Sequence, residues 1–465
     1  MAAYELAFAT ARKQAAASVA DWARRTGDEL ARELAEAAAS TRPEVSLLTG
    51  IAARFLGGAA VEDLGASTEH RLLRRTIRDF AERVIKPRAQ QIHREDRDLP
   101  EDIIQGAARL GLFGLSVPEA YGGSRGETPD LRAMLIATEE LSRASLTAGG
   151  SLITRPEILV QALLSGGTEA QKRAWLPAIA TGRQLVAVAV TEPDFGSDVA
   201  GIKCRAERVA GGWQLNGAKL WCTFAGRAEL LMVLCRTAPG GHRGLSLFVA
   251  EKPAFSGREF EHRQPHGGRL RGRAIPTIGY RGMHSFELNF EDYRLPEDAL
   301  VGGEAGLNRG FYLQMEGFAP GRLQTAGRAV GLMQAALEDA LAFTRARHVF
   351  GRPVAAHQLP QATLGRLAVA VSSARQLSYV AAERLQDGAG QVEASLAKLH
   401  AARLAELVTR DAMQLFGGLG YAEETDVSRY FVDARVLTIF EGAEEVLALR
   451  VIARSLLEGG PNDAL

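Results

Sequence analysis

The chain has 465 residues, and its 55 Lys and Arg balance 55 Asp and Glu, so the formal net charge is zero. That length supports about three domains with sizeable cores, and the charge balance argues against nucleic acid or an anionic membrane as a main partner. Three scattered cysteines (Cys204, Cys222, Cys235) without a C-x-x-C exclude a disulfide framework and fit a reducing compartment. The first residues lack a secretory pattern and no apolar run is long enough to span a bilayer, so a soluble, cytoplasmic protein is expected.

Residues 1–66 are alanine-rich with interspersed Arg and Glu, and Gly57, Gly58 and Gly65 punctuate their end; a helical extension without a chemical motif is expected there. Residues 67–186 read as a helical domain. Within it 71–84 is amphipathic and Pro87 interrupts the pattern, while 100–110 starts a new helix at an acidic end. Pro118 to Gly123 reads as a turn, and Thr168 followed by Gln171 is a capping-box signature. The signal then changes. From 187 to 300, apolar runs near 185–190, 230–234 and 245–250 join two alternating stretches, Ile202/Cys204/Ala206 and Phe286/Leu288/Phe290, with glycine-rich turns between. That pattern predicts an antiparallel sheet or small barrel. From 301 to 465 the chain is helical again: Leu364, Leu367, Val371, Ala374, Leu377, Ala381 and Leu385 mark one face, and Leu396, Leu399, Ala402, Ala405, Val408, Ala412 and Leu415 another. Long antiparallel helices of this kind predict a bundle. The fold class is therefore α+β, in the order helical domain, β domain, helical bundle.

Neither standard nucleotide fold is indicated: no G-x-G-x-x-G follows a strand, and no Walker loop occurs. No H-E-x-x-H or His/Cys/Asp cluster suggests a metal, and the nine histidines are dispersed. Five other segments carry the chemistry. T-E-P-D-F-G-S-D at 191–198 follows an apolar run with backbone donors and hydroxyls that can wrap a polar ring edge and a phosphate, though a tight turn with Asx and Ser caps has the same composition. N-G-A-K-L-W-C-T at 216–223 puts Trp221 two residues from Thr223, on one side of a regular strand. There the ring can pack on a flat cofactor while the hydroxyl donates to it, or Trp221 is simply a half-buried strand residue. R-H-V-F-G-R-P at 347–353, followed by Gln358, ends a helix sharply, and Arg347 either neutralises a phosphate or is a solvated helix-end charge. Q-L-F-G-G-L-G at 414–420 is a glycine helix end or a place where a ligand nears backbone. I-F-E-G at 439–442 sets Glu441 between an apolar run and a glycine, desolvated on one side, as suits a general base and equally a plain helix end.

In this order and spacing the five segments resemble the acyl-CoA dehydrogenase family, over about residues 70 to 458. The resemblance implies a helical N-terminal domain, a middle β domain and a C-terminal four-helix bundle with FAD between them. Carried over, Thr191 and Ser197 contact the flavin ring edge and the pyrophosphate, Trp221 packs on the isoalloxazine, and Thr223 hydrogen-bonds near its N5. Arg347, Phe350, Gln358, Gln414, Gly417 and Gly418 reach the adenosine-diphosphate part of FAD bound by a neighbouring subunit, which implies a homodimer or homotetramer. Glu441 falls on the family's base, which takes the proton α to the thioester carbonyl of an acyl-CoA while hydride leaves the β-carbon for the flavin. Some branches place the base on the helix just before Arg322; here that position is Gly321, without a side chain. Electron-transfer flavoprotein is the implied electron acceptor. Two positions depart from the pattern: Ala443 stands where many members have threonine, and Cys222 where an aliphatic is common.

The runs 191–201, 277–287 and 428–435 look most like the branch that oxidises (2S)-methylsuccinyl-CoA to mesaconyl-CoA in the ethylmalonyl-CoA pathway, a branch with an N-terminal extension longer than this one. A second carboxylate on the acyl group needs a cation or several donors; Arg155, Arg281, His284 and Arg322 are the candidates. Another short- or branched-chain specificity stays open, as do a flavin oxidase or monooxygenase on the same fold and a non-catalytic binding paralogue.

Overall fold

The computed structural model describes residues 1–59 and 66–458. Positions 60–65 of the expected extension, Gly65 among them, and 459–465 of the expected C-terminal domain lie outside the described residues. The chain divides into two compact units that interleave along the sequence. One comprises Met1–Arg94, Leu131–Gly150 and Arg322–Leu465, the other Glu95–Asp130 and Ser151–Gly321.

In the helical unit the extension forms helices Ala2–Thr26, Glu29–Ala39 and Val45–Leu56. The second opens on Asp28, whose carboxylate accepts from the Leu30 N–H at 2.8 Å, an N-cap that satisfies one of the orphan donors of the first turn. The third helix lies close on helix Gln358–Gln386: a Cβ at Gly365 would sit 2.1 Å from the Leu48 carbonyl oxygen, so only glycine allows the approach. The helix beginning at Thr68 does not stop at Pro87, contrary to the sequence expectation. It runs Thr68–Phe80, widens into a π-turn at Ala81–Ile85 and continues as Lys86–Arg94. Proline lacks an N–H and crowds the carbonyl four residues back, and the wider turn just before it absorbs both defects. The reward is an unbroken buried stripe, Ile77, Ala81, Ile85, Ala89 and Ile92.

Helix Leu131–Ala144 is joined to this one and to Gln358–Gln386 through two buried acids. Arg375 and Arg74 nitrogens lie 2.8 and 3.2 Å from Glu139, and the Tyr379 hydroxyl donates to it at 2.9 Å. Arg78 donates to Glu140 at 2.8 Å. Burial pushes the Glu139 carboxyl up, but Arg375 and Arg74 outweigh it and hold the group at about 2. Such a network tolerates loss of one partner badly, because the stranded charge stays buried.

The second unit carries an eight-stranded sheet among the described residues. Its strands are β1 Val186–Ala189, β2 Arg205–Val209, β3 Gly212–Thr223, β4 Leu230–Arg236, β5 Leu245–Glu251, β6 Glu259–Arg263, β7 Arg269–Ile275 and β8 Ser285–Pro296. They run in the order β1-β4-β2-β3-β8-β7-β6, with β5 on β4. The pairing is antiparallel, as expected, with two exceptions. β1 pairs β4 in parallel from Val186↔Leu230 to Ala189↔Val233, and β2 meets β4 in parallel at Arg205↔Arg236. β1 and β4 are two of the three continuous apolar runs, and continuity rather than alternation is what a strand covered on both faces requires. Ile158, Leu163, Leu176 and Ile179 from the helices pack on Met232, Leu234 and Leu247 in one core. The capping box forms as read: Gln171 N–H donates to Thr168 Oγ1 at 3.2 Å and Thr168 N–H to Gln171 Oε1 at 2.9 Å.

Candidate active site

The site residues named from the sequence fall into two groups, one in each unit. In the β unit, segments 191–198 and 216–223 are laced together. Leu220 N–H donates to the Thr191 carbonyl at 2.7 Å. The Lys219 ammonium, fully buried, lies 2.9 Å from both the Val190 carbonyl and Glu192 Oε1. Glu192 in turn accepts from the Lys203 and Cys204 N–H groups at 2.7 and 2.9 Å. Its own backbone closes the loop, exchanging hydrogen bonds with Phe195 at 2.9 and 3.2 Å. This Glu192–Lys219 core fixes where Thr191, half-buried, and Ser197, exposed, sit. Sequence reasoning named neither residue. No local signal marked them: Glu192 lies in a loop between half-buried Thr191 and exposed Pro193, and Lys219 between half-buried Ala218 and Leu220.

Trp221 and Thr223 do not share a side of a regular strand. The β3–β8 register slips between Lys219↔Leu288 and Cys222↔Phe286, so β3 carries an extra residue there. Trp221 takes a left-handed backbone, φ 60°, and its side chain stands 51 % exposed. Thr223 is buried, its hydroxyl 2.9 Å from that of Ser285. A bulge of this kind re-aims a side chain, and here it turns an indole outward.

Three substrate candidates belong to the same unit. Arg155 is buried, donates to the Ser151 carbonyl at 3.3 Å, and holds its guanidinium 5.8 Å from the centre of the Tyr280 ring. Arg281 donates to the Thr277 carbonyl at 2.8 Å. His284, at φ 43°, has its ring nitrogens 3.1 Å from Asp98 and 3.5 Å from Asp96. His284 holds the Asp98 carboxyl below the usual range.

The helical unit holds the rest. Glu441 is among the few non-glycine residues with a left-handed backbone, φ 53°, followed by Gly442 at 95°. Its carboxylate accepts no hydrogen bond among the described residues, and an Arg328 nitrogen lies 3.9 Å away. Arg328 also sits 4.5 Å over the Phe440 ring and donates to Thr325 Oγ1 at 2.7 Å. Lys398, fully buried on helix Gln391–Phe416, donates to the Gly442 carbonyl at 2.6 Å. Arg322 is buried as well, 3.4 Å from Ser395 Oγ. Burial pushes the Lys398 ammonium down to about 7 and the Arg322 guanidinium to about 10, and in each case Glu441 pulls the other way. Three cations therefore surround one carboxylate held in an unfavourable backbone conformation, the kind of strain that surroundings must over-determine.

Arg347, Phe350, Gln358, Gln414, Gly417 and Gly418 are all exposed. The expected sharp turn after the Gly310–Ala346 helix is a small hairpin, His348–Val349 paired with Arg352–Pro353. Phe350 and Gly351 form its two-residue loop at φ 51° and 80°, the left-handed pair that such a turn demands. Phe350 consequently stands 97 % exposed. Gly417 and Gly418 have open space where a side chain would lie.

Three domain patterns match the chain in sequence order: acyl-CoA dehydrogenase N-terminal domain over 67–183, middle domain over 187–293 and C-terminal domain over 308–457. The chain belongs to the acyl-CoA dehydrogenase family. A (2S)-methylsuccinyl-CoA dehydrogenase from Cereibacter sphaeroides is 38 % identical over 86 % of this chain and 72 % of its own length. Butyryl-CoA dehydrogenase from Megasphaera elsdenii superposes with a TM-score of 0.78 at 29 % identity, covering 85 % of this chain and 100 % of that one. A glutaryl-CoA dehydrogenase from Mycobacterium smegmatis in complex with FADH2 gives 0.75 at 25 % identity, over 85 % and 96 %.

The fold is accordingly that of the acyl-CoA dehydrogenases: an N-terminal helical domain, a curled middle sheet and a C-terminal helical domain. The protein is an oxidoreductase acting on the CH–CH bond of acyl-CoA, with FAD as cofactor. Its own residues fit a flavin: Trp221 presents an aromatic face on a strained bulge, beside a loop pinned by the Glu192–Lys219 pair. No described helix is long and apolar enough to cross a membrane.

Proposed function

We propose that this acyl-CoA dehydrogenase oxidises a short acyl-CoA bearing a second carboxylate, (2S)-methylsuccinyl-CoA to mesaconyl-CoA, with Glu441 as the base that removes the α-proton. The observation carrying the base is the strained Glu441 turn among Arg322, Arg328 and Lys398. A carboxylate without hydrogen-bond partners keeps its lone pairs for substrate, and the cations around it offset its desolvation. Thr191, Ser197, Trp221 and Thr223 would hold the flavin ring and pyrophosphate, and Arg347, Phe350, Gln358, Gln414, Gly417 and Gly418 the adenosine-diphosphate part of FAD bound by a neighbouring copy. Bound there, FAD supplies the acceptor for the β-hydride. The exposure of those six residues supports a homodimer or homotetramer.

The substrate reading rests on the relative at 38 % identity and on Arg155. Arg155 is a buried guanidinium whose one side-chain hydrogen bond among the described residues goes to a carbonyl, leaving donors for an anionic acyl tail. Electron-transfer flavoprotein is the proposed acceptor, the ethylmalonyl-CoA pathway the proposed setting, and the cytoplasm, where three unpaired cysteines persist, the proposed location.

Anaerobic flavin bleaching with methylsuccinyl-, butyryl-, isobutyryl-, isovaleryl- and glutaryl-CoA tests both parts. Glu441→Gln should keep its FAD and bleach about 10²–10⁴-fold more slowly; bleaching at the wild-type rate would end the base assignment. Methylsuccinyl-CoA should bleach fastest, and Arg155→Met should raise its KM about tenfold while that for butyryl-CoA stays within about threefold. A panel led by butyryl-CoA would replace the dicarboxylyl reading.

A further inference from the structure

The matched family patterns begin at residue 67, so the extension lies outside them. Its first helix turns a stripe of small residues inward, Ala7, Ala11 and Ala15. Ala7 and Ala11 share a core with Leu396 and Leu399 of helix Gln391–Phe416 and with Ala448 and Ile452, which follow the Glu441 turn. Tyr4 and Phe8 close the edge of that core, ring to ring at 4.9 Å, and the Arg403 guanidinium sits 4.1 Å over Phe8. Leu396 and Leu399 flank Lys398, whose ammonium holds the Gly442 carbonyl. Beyond the turn, the Tyr4 hydroxyl donates to Glu444 Oε1 at 2.5 Å across 440 residues of chain. Glu444 opens the helix that leaves the turn, and Leu447 N–H donates to the Ala443 carbonyl at 3.0 Å to start it. Burial and Glu444 push the Tyr4 hydroxyl up to about 12, so it remains a donor over any working pH.

The turn is thus anchored from both sides, and one extension helix packs on both anchors. A left-handed Glu441 is a conformation that relaxes when its surroundings loosen. We propose that the amino-terminal extension braces the catalytic turn and that Tyr4 is a positioning residue for Glu441, acting through Glu444. This rests on the reading of Glu441 as the base.

The test compares Tyr4→Phe, Glu444→Gln and the double variant as FAD-loaded enzymes, with Arg54→Ala as a control. Arg54 pairs with Glu29 and Glu33 inside the extension. Anaerobic flavin reduction at saturating acyl-CoA, KM, FAD content and Tm are read for each. Tyr4→Phe should slow reduction about 3–10-fold with KM within twofold and FAD content unchanged, and the double variant should be no slower than the slower single, because the two side chains form one contact. Arg54→Ala should reduce at the wild-type rate even where Tm falls. A Tyr4→Phe enzyme that loses Tm but reduces at the wild-type rate would overturn the proposal, as would effects of the two substitutions that multiply. Glu441→Gln run alongside separates the causes: an unimpaired Glu441→Gln removes the base itself, whereas an inactive Glu441→Gln with an unimpaired Tyr4→Phe removes only the brace.

Discussion

Glu157 is fully buried with neither carboxyl oxygen hydrogen-bonded among the described residues. Burial pushes it up to about 8, and Arg125 offsets only part of this. Below about pH 4.3 the group is protonated whether the chain is folded or not, so it costs nothing. Between there and pH 8 the unfolded chain releases the proton and the folded one keeps it, so stability falls as pH rises through this window. Glu157→Gln should therefore be nearly neutral at pH 5 and more stable than wild type at pH 8, by on the order of a few kcal/mol, which urea titrations at the two pH values would measure. Equal midpoint shifts at both would mean that the carboxyl is charged throughout. The same scale shows what the sequence hides. Glu441 and Trp221 stand in short local motifs, and a motif can be read without the fold. Lys398 cannot be read that way: it sits between Ala397 and Leu399 on a long helix, and nothing local distinguishes a buried lysine from a solvated one. Its partner, Gly442, is 44 residues away.

Elements were legible where their signals are local. The capping box at Thr168 and Gln171 needed four residues and formed as expected, but its second role did not show. The Gln171 amide also donates to the Asp298 and Leu300 carbonyls at 2.7 Å each and accepts from Gly302 N–H at 2.9 Å, tying the helix to the segment after β8. Gln171→Ala strands those groups as well as the cap, and should cost about 2–4 kcal/mol, read as a lowered urea midpoint; a loss no larger than that of an ordinary cap would show that water replaces the amide. Pairing was less legible than strand existence. Runs 185–190 and 230–234 were plain, yet a parallel partner across 44 positions leaves no trace in either run. Pro87 failed for the opposite reason: the local rule was sound, and the buried stripe from Ile77 to Ile92 overrode it through a π-turn.

For the whole molecule, cofactor retention and assembly should be one equilibrium if a neighbouring copy completes the FAD site. Phe350, almost wholly exposed, contributes little to its own subunit's core, so Phe350→Ala should leave the apoprotein Tm within about 2 °C of wild type. It should nonetheless weaken FAD about tenfold or more, with flavin released on dilution as larger species dissociate. Flavin affinity equal to wild type would place that hairpin away from any FAD.

The left-handed backbone at Glu441 has a consequence for how this protein can change. Every residue but glycine, and to a lesser degree asparagine, occupies that conformation at a cost of roughly 1–2 kcal/mol, and two left-handed residues in succession leave no helical alternative. At position 441 stability therefore sets two terms against each other: glycine relieves the backbone, but it strands the buried cations around the turn. If Glu441 is the base, selection for turnover adds its weight to the glutamate. On that reading the residue suited to the chemistry is poorly suited to the backbone, and the cations that serve the carboxylate also hold it there.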